Sequence, residues 1–435
     1  MTMDATSASG TVQRVFLFLE GPSSHLFMKI ADRLEAKGHA CLRVNLNIGD
    51  RIFWRRHGGY SFRGHSEAWA SWIGDFLTRH RVTDLVLLGE ERPYHRVATE
   101  AAKQRSIDIY VIEMGYLRPD WLTLERDGMS TNSHFPDDPD HILRAARDLP
   151  EPDWTRRYAQ TFLAEAAYDL LYNLPNAFLW FLYPHYRRHA LYHPLVEYGG
   201  WILRLIREKK RLREALATIS ALARGHGPLF IFPLQLQTDF QLRAHSPYHD
   251  QQQAIDEVMT SFARFATPDA RLVVKIHPLD NGLVDWAGTV ERKAAALELG
   301  SRVSFLDGGD LAALIGLSMG IVTVNSTVGL HALQQRKPVK VLGVAMFDID
   351  RLTDQQPLDA FWRAPRLPDA DVCTAFFRLV AAAIQVRGNF YSKAGTDAGA
   401  DAIAARLHAR DVNEPDAFID PPPRKRPVKR PRSQA

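Results

Sequence analysis

The sequence has few cysteines and no long apolar run. Only Cys41 and Cys373 occur among 435 residues, so we expect no disulfide framework and a reducing, cytoplasmic environment. No run approaches the roughly 18–20 apolar residues that a transmembrane helix needs. The polar start, MTMDATSASGTVQRV, lacks the basic and apolar regions of a signal peptide. A chain of this length is too long for one compact core and predicts two domains.

Net charge is also small outside the end of the chain. The net charge is +4, and the segment from Pro421 to Ala435 has no acidic residue and six basic ones, which are Arg424, Lys425, Arg426, Lys429, Arg430 and Arg432. The rest of the chain is therefore near neutral, and we expect no nucleic-acid partner. The proline-rich segment 411–435 predicts a disordered tail. Either anionic lipid binding or a merely solubilising role suits it.

What the sequence does contain is an alternation of short apolar runs with helical patterns. This alternation predicts parallel sheets covered on both faces. It occurs in 1–150 and again in 226–370, and a helical, aromatic segment lies between them at 151–225. A helix in 371–410, at about Val372 to Val386, is predicted to cross back to the first half. We predict an α/β protein with two Rossmann-like domains, a central cleft and a helical middle segment.

Ligands of parallel sheets bind beyond the carboxyl ends of the strands. Glu113 follows the predicted strand Ile109 to Ile112 and can act as a general acid/base if it is partly desolvated. Arg118, a few residues later, can hold an anionic group. The alternative is an ion pair that orders a loop. The segment Glu20 to His25 also follows a strand, and there a turn that caps the next helix is favoured over a phosphate loop.

A polar loop follows the predicted strand Leu229 to Phe232. It includes Gln235, Asp239 and His245 between two prolines. Asp239 is the only carboxylate of this loop. It can attack an anomeric carbon or serve only as an acceptor for a sugar hydroxyl, and the sequence favours neither role.

Two further groups follow strands and are suited to phosphate. Lys275, His277 and Pro278 form one group, and the other is Asn325, Ser326 and Thr327, which opens a helix. A helix cap without function is the alternative for the second group. The histidines have no HExxH or CxxC pattern around them, so we expect no metal.

Several of these motifs together resemble one known family. They are Glu113-Met-Gly-Tyr-Leu-Arg-Pro-Asp, Gln235-x-x-x-Asp239 with His245-Ser-Pro-Tyr, Lys275-Ile-His-Pro, and Asn325-Ser-Thr-Val-Gly-Leu. In this order they resemble the capsular polysaccharide biosynthesis and export family, which includes KpsS-type and LipB-type proteins. That family is similar to retaining β-Kdo glycosyltransferases of the two-domain GT-B type. The resemblance spans roughly Val15 to Tyr391.

The resemblance implies a donor, an acceptor and roles for residues. It implies transfer of Kdo from CMP-Kdo, with retention, to a (lyso)phosphatidylglycerol-type acceptor at the inner face of the inner membrane. His277 would contact the CMP phosphate, Ser326 and Thr327 would belong to the same pocket, and Asp239 and Glu113 would be nucleophile and acid/base. Other capsule synthesis and export proteins would be partners. Another GT-B nucleotide-sugar enzyme, such as a different transferase or a 2-epimerase, and a non-catalytic export partner are the alternatives.

Overall fold

The structure is a computed structural model, and it describes residues 12–159, 161–188 and 191–431, with only the backbone of Gln241. In chain order its helices and strands are β1 (Val15–Phe18), α1 (Leu26–Ala36), β2 (Ala40–Asn45), α2 (Ile48–Ile52), β3 (Gly59–Ser61), α3 (Trp69–Arg79), β4 (Asp84–Leu88), α4 (Pro93–Lys103), β5 (Asp108–Met114), β6 (Trp121–Arg126), α5 (Pro139–Ala145), α6 (Phe162–Phe178), α7 (Pro194–Arg224), β7 (Leu229–Pro233), α8 (Phe240–Ala244), α9 (Gln251–Phe265), β8 (Arg271–Lys275), α10 (Trp286–Ala296), β9 (Val303–Leu306), α11 (Leu311–Leu317), β10 (Gly320–Thr323), α12 (Val328–Gln334), β11 (Val339–Val341), α13 (Leu358–Phe361), α14 (Ala370–Ala383), β12 (Gln385–Arg387) and α15 (Lys393–Ala409).

The chain forms two compact units, and each is built from separate stretches of sequence. The first unit contains the chain up to Met114, Arg157–Arg187 and Arg387–Arg410. The second contains Gly115–Arg156, Arg188–Val386 and the chain from Asp411. The helical middle segment is therefore divided, because α6 belongs to the first unit and α7 to the second.

The first unit contains five parallel strands in the order β5-β4-β1-β2-β3. The strand β4 is buried along its whole length, as an apolar run covered on both faces should be. Helix α1 buries Leu26, Phe27, Ile30, Ala31 and Leu34, which lie on one face at helical spacing. Helix α15 packs against α1, and Lys29 and Arg33 of α1 form ion pairs with Asp397 of α15.

The second unit contains another parallel sheet, in the order β11-β10-β7-β8-β9. Its central strand β7 is entirely buried, and α9 and Trp362 pack on the core around it. Strands β6 and β12 lie beside each other, and α14 packs against α5. The two parallel sheets with alternating helices confirm the predicted α/β class with two Rossmann-like sheets.

The crossing helix differs from its prediction. Helix α14, which covers the predicted span, remains in the second unit, and the helix that returns to the first unit is α15. The physical reason is that α14 buries an apolar face with Phe376, Leu379 and Val380 in the second unit. The mean hydropathy of α15 is lower, and it is held through ion pairs as well as through apolar contacts.

The chain after Asp411 also differs from its prediction as a disordered tail. Arg424 donates to the carbonyl oxygens of Phe135 and Met346, both at 2.6 Å, and Lys429 donates to those of Ser246 and Tyr248 at 2.9 and 2.6 Å. A proline-rich segment forms no core of its own, but its basic side chains satisfy backbone oxygens of the second unit. Arg432 and the residues after it lie outside the described residues.

Within the described ranges, no helix combines the length and the apolar character that crossing a bilayer requires.

Candidate active site

The second unit brings together the ends of three adjacent strands. Strand β7 lies between β10 and β8. Gln235 follows β7, Lys275 ends β8, and Asn325 follows β10, and all three side chains are buried. Parallel strands end at the same edge of a sheet, so these residues lie at the edge where ligands of such sheets bind.

Gln235 and Asn325 form a reciprocal amide pair. The Nε2 of Gln235 donates to Oδ1 of Asn325 at 2.8 Å, and the backbone N–H of Asn325 donates to Oε1 of Gln235 at 3.2 Å. The Nδ2 of Asn325 also donates to the carbonyl oxygens of His245 and Val344, both at 3.3 Å. The pair therefore fixes the loops after β7, β10 and β11 relative to one another.

Lys275 is a buried cation with a carboxylate nearby. Burial lowers the pKa of its ammonium, and the charge of Asp307 opposes that shift. Asp307, directly after β9, accepts two hydrogen bonds from Arg204, at 2.8 and 3.1 Å, and one from Arg211 at 2.7 Å. The single negative charge of Asp307 is therefore shared among Arg204, Arg211 and Lys275, and it does not fully neutralise Lys275.

His277 is held as a neutral imidazole. Burial, and after it the charges of Arg118 and Lys275, together lower its pKa from 6.5 to about 4. Its Nδ1 accepts a hydrogen bond from the backbone N–H of Leu279 at 3.0 Å. A neutral imidazole that accepts at Nδ1 carries its proton on Nε2. His277 therefore offers an Nε2–H donor, and Pro278 beside it is exposed.

Arg118 lies near two imidazoles of the second unit. Its Nε donates to the carbonyl oxygen of Gly115 at 3.3 Å. Its charge contributes to the lowered pKa of His277 and to that of His331 on α12, after burial in both cases. Arg118 is an exposed residue. Arg118, Lys275 and His277 form one electropositive group, and His331 adds a residue that the sequence did not indicate.

Ser326 and Thr327 lie in the turn before α12. The N–H of Ser326 donates to Oγ1 of Thr323 at 3.1 Å, and its Oγ accepts from the N–H of Val328 at 3.3 Å. Both residues are half-buried, and Thr327 makes no side-chain cap at the start of the helix. The turn thus uses Ser326 as a hydrogen-bond acceptor.

Asp239 and His245 flank the short helix α8 and have different environments. Asp239 is half-buried, its carbonyl oxygen accepts from the N–H of Arg243, and its charge raises the pKa of that guanidinium against the larger effect of burial. His245 is fully buried, and its Nδ1 lies 2.7 Å from Oγ1 of Thr131. Asp239 is suited to reach a ligand, whereas His245 supports the loop.

Glu113 belongs to the first unit, whereas the other ten predicted site residues belong to the second. It is half-buried on β5, and its Oε1 accepts from the N–H of Met114 at 3.0 Å. A Cβ added to Gly89 would lie 3.3 Å from its Oε2, so glycine gives this carboxylate room. Its charge also acts on Arg92.

Glu20 lies at the centre of a cluster of polar side chains in the first unit. It is only 1% exposed, and its Oε1 accepts from the hydroxyls of Tyr186 at 2.8 Å and Tyr172 at 3.3 Å. Arg92 lies 3.7 Å from the same oxygen. Burial and then the charge of Glu20 raise the pKa of the Tyr186 hydroxyl well above its ordinary value, so this tyrosine is a donor to Glu20.

Asp50 extends the cluster. Burial raises its pKa to about 6, with Glu20 acting in the same direction and the paired Arg43 opposing both. Its Oδ1 accepts from Arg43 at 2.6 Å, and Asn47 beside it donates to the hydroxyl of Tyr172 at 2.9 Å. The ends of β1 and β2 are thereby joined by hydrogen bonds through α6.

Comparison with known proteins identifies the family. The sequence model described as "Capsule polysaccharide biosynthesis protein" matches residues 83–391, which is more than half of the chain. The capsule polysaccharide modification protein LipB of Neisseria meningitidis serogroup B is 30% identical over 87% of this chain and 91% of its own. The capsule polysaccharide export protein KpsS of Escherichia coli is 30% identical over 86% and 96%.

The chain belongs to the capsule polysaccharide biosynthesis family. Among solved structures it is similar to the Thermosulfurimonas dismutans KpsC β-Kdo 2,7 transferase, with a TM-score of 0.43, 13% identity, and coverage of 92% of this chain and 99% of that one. A Staphylococcus aureus MnaA–UDP structure has a TM-score of 0.33 at 11% identity, with coverage of 93% and 100%.

Sequence reasoning missed two carboxylates of this family member. Glu20 lies before the matched range, and its predicted role was a turn. Asp307 lies within that range and was not singled out. Asp307 directly follows β9 and Glu20 lies two residues after β1, and this position at a strand end is the signal that could have found them.

Proposed function

We propose that this family member is a capsule glycosyltransferase. It transfers Kdo from CMP-Kdo, with retention, to a (lyso)phosphatidylglycerol-type lipid at the inner face of the inner membrane, beside other capsule synthesis and export proteins. The observation that carries the proposal is the electropositive group of Lys275, His277 and Arg118 at the strand ends of the second unit.

The donor matches this group in charge. CMP-Kdo carries one phosphate and one carboxylate, and Lys275 and Arg118 supply two positive charges. The neutral His277 after β8 adds an Nε2–H donor, and Ser326 and Thr327 follow β10, on the other side of β7. Nucleotide sugars that bind a divalent ion commonly do so through a diphosphate, and CMP-Kdo has only one phosphate. The proposed binding therefore uses side chains and no metal.

The proposed reaction uses two carboxylates in two displacements. Asp239 attacks the anomeric carbon, and the bond to the phosphate oxygen breaks with its electron pair leaving on CMP. The acceptor hydroxyl then attacks the same carbon, Asp239 leaves, and Glu113 takes the acceptor's proton. Two inversions give net retention. The opposite assignment of the two carboxylates predicts the same product, so variants must separate them.

The test combines purified protein, CMP-Kdo and a lysophospholipid, with CMP release as the measurement. We expect Asp239→Ala to abolish transfer while CMP binding persists, because the nucleotide contacts lie on other residues. Asp269→Ala, an exposed carboxylate of the same unit, is the matched control and should keep full activity. Full activity of Asp239→Ala, or a wild-type protein that releases no CMP, would contradict the mechanism.

The same preparation separates the alternatives. Thermal stabilisation by CMP, but not by UDP or GDP, supports the proposed donor. Selective stabilisation by UDP would instead indicate another nucleotide-sugar enzyme, such as a 2-epimerase. A protein that none of the three stabilises and that releases no CMP would be a non-catalytic export partner.

A further inference from the structure

The long helix α7 is anchored to the second unit along one face. A Cβ on Gly200 would lie 2.3 Å from the carbonyl oxygen of Asn281, so glycine permits this close approach. Arg204 and Arg211 reach Asp307, and Leu222 is buried. Gly200, Arg204, Arg211 and Leu222 are four, seven and eleven residues apart, and such spacings lie on one side of a helix. They form the face of α7 that packs on the rest of the second unit.

The opposite face of α7 is apolar in its first half and open to solvent. Leu195, Ile202 and Ile206 are 49%, 58% and 74% exposed, and Leu203 beside them is 56% exposed. The spacings of seven and four residues place the first three in one stripe. Large apolar side chains in a contiguous exposed stripe indicate an interaction surface.

The same stripe becomes basic in the next two turns. Lys209 and Arg213 continue it and are exposed, and Arg207 and Lys210 of the same turns are exposed as well. Glu208 and Glu214 are the acidic residues of these turns, and the ammonium of Lys210 lies 3.7 Å from the carboxylate of Glu214, with both groups exposed. Four exposed basic residues against two acidic ones leave an excess of positive charge next to the apolar stripe.

We propose that this α7 outer face, formed by Leu195, Ile202, Leu203, Ile206, Lys209 and Arg213, docks on an anionic lipid bilayer. The apolar half enters the boundary of the acyl chains, and the basic half lies among the headgroup phosphates. A second copy of the chain fits less well, because a parallel pairing of two α7 helices would oppose their like charges. The inference deepens the proposed function, whose acceptor is a lipid, and is argued from α7 alone.

Binding to vesicles tests the docking without turnover. Full-length protein is sedimented with vesicles of phosphatidylcholine alone or with added phosphatidylglycerol. We expect binding mainly to the second kind, and about a tenfold or greater loss for Ile202→Ser/Ile206→Ser, since both side chains lose their apolar burial. Leu367→Ser, a residue of the same unit that is 72% exposed and lies outside α7, is the matched control and should bind like wild type.

The charged half has its own variant. Lys209→Gln/Arg213→Gln should lose most of the preference for phosphatidylglycerol, and added salt should weaken wild-type binding in the same way. Three results would overturn the proposal: no wild-type binding, undiminished binding of the isoleucine variant, or a solution dimer that this variant dissociates. Vesicle binding without CMP release would overturn the proposed function and leave the docking surface intact.

Discussion

The neutral state of His277 gives a prediction that can be worked through in numbers. The perturbation is acidification, with His277→Gln as the reference, because glutamine can still accept from the N–H of Leu279. Burial, Arg118 and Lys275 lower the pKa of the folded imidazole to about 4 from an ordinary 6.5. Between these pH values the imidazole is protonated in the unfolded chain but neutral in the folded chain. The free energy of unfolding therefore falls as the pH falls from 6.5 towards 4.

The pKa difference corresponds to about 3 kcal/mol at full effect. The imidazole is half-buried, and solvent screening reduces the expectation to about 2 kcal/mol. Urea unfolding at pH 7 and at pH 4 should therefore show wild type losing about 2 kcal/mol more than His277→Gln. Taking the difference between the two proteins removes the titration of carboxylates that both contain.

An NMR titration of the His277 ring checks the cause directly, with the resonance assigned by its absence in His277→Gln. We expect its midpoint near pH 4. A midpoint at or above pH 6.5 would refute the reasoning, because the imidazole would then be charged or freely solvated at the strand ends. His226→Gln, which removes an exposed imidazole of the same unit, is the control for losing a histidine as such.

Three other predictions concern Asp307 and Glu20, which were not predicted as site residues, and Lys429, which was predicted to lie in a disordered tail. Asp307→Ala should lower the free energy of unfolding, measured with urea, by about 3 kcal/mol, because the buried Arg204 of α7 loses its ion-pair partner. Glu214→Ala removes the exposed partner of Lys210 on α7 and should change the same free energy by about 0.5 kcal/mol or less. Glu20→Gln should reduce transfer strongly but leave CMP binding unchanged, since CMP contacts are proposed in the other unit; weakened CMP binding would contradict this. Lys429→Gln should increase hydrogen–deuterium exchange at residues 246–249, whereas Lys425→Gln, an exposed neighbour, should not, and equal exchange in the two variants would argue against a holding role.

The local part of the fold could be predicted from the sequence. Alternating apolar runs and helical patterns identified the parallel strands of both units except the short β3, because strand and helix periodicities are local properties. Lys275 and Asn325 were predicted to lie at strand ends for the same reason, and the structure places them at the ends of the two strands that flank β7. Their roles in binding stay predictions.

The rest depends on contacts between distant parts of the chain. Glu20 becomes buried because Tyr172 and Tyr186, far along the sequence, donate to it. The basic residues of the last segment look solvated in sequence, yet Arg424 and Lys429 satisfy backbone oxygens. Composition shows that such donors exist but not which acceptors they will find.

The interleaving of the two units has a consequence for how the protein is made. The first unit takes α15 from residues 393–409, and the second takes the stretch from Asp411 onward. During synthesis the first unit cannot complete its packing until α15 has left the ribosome. Until then the face of α1 that α15 covers stays exposed, so the two units cannot mature one after the other as independent halves.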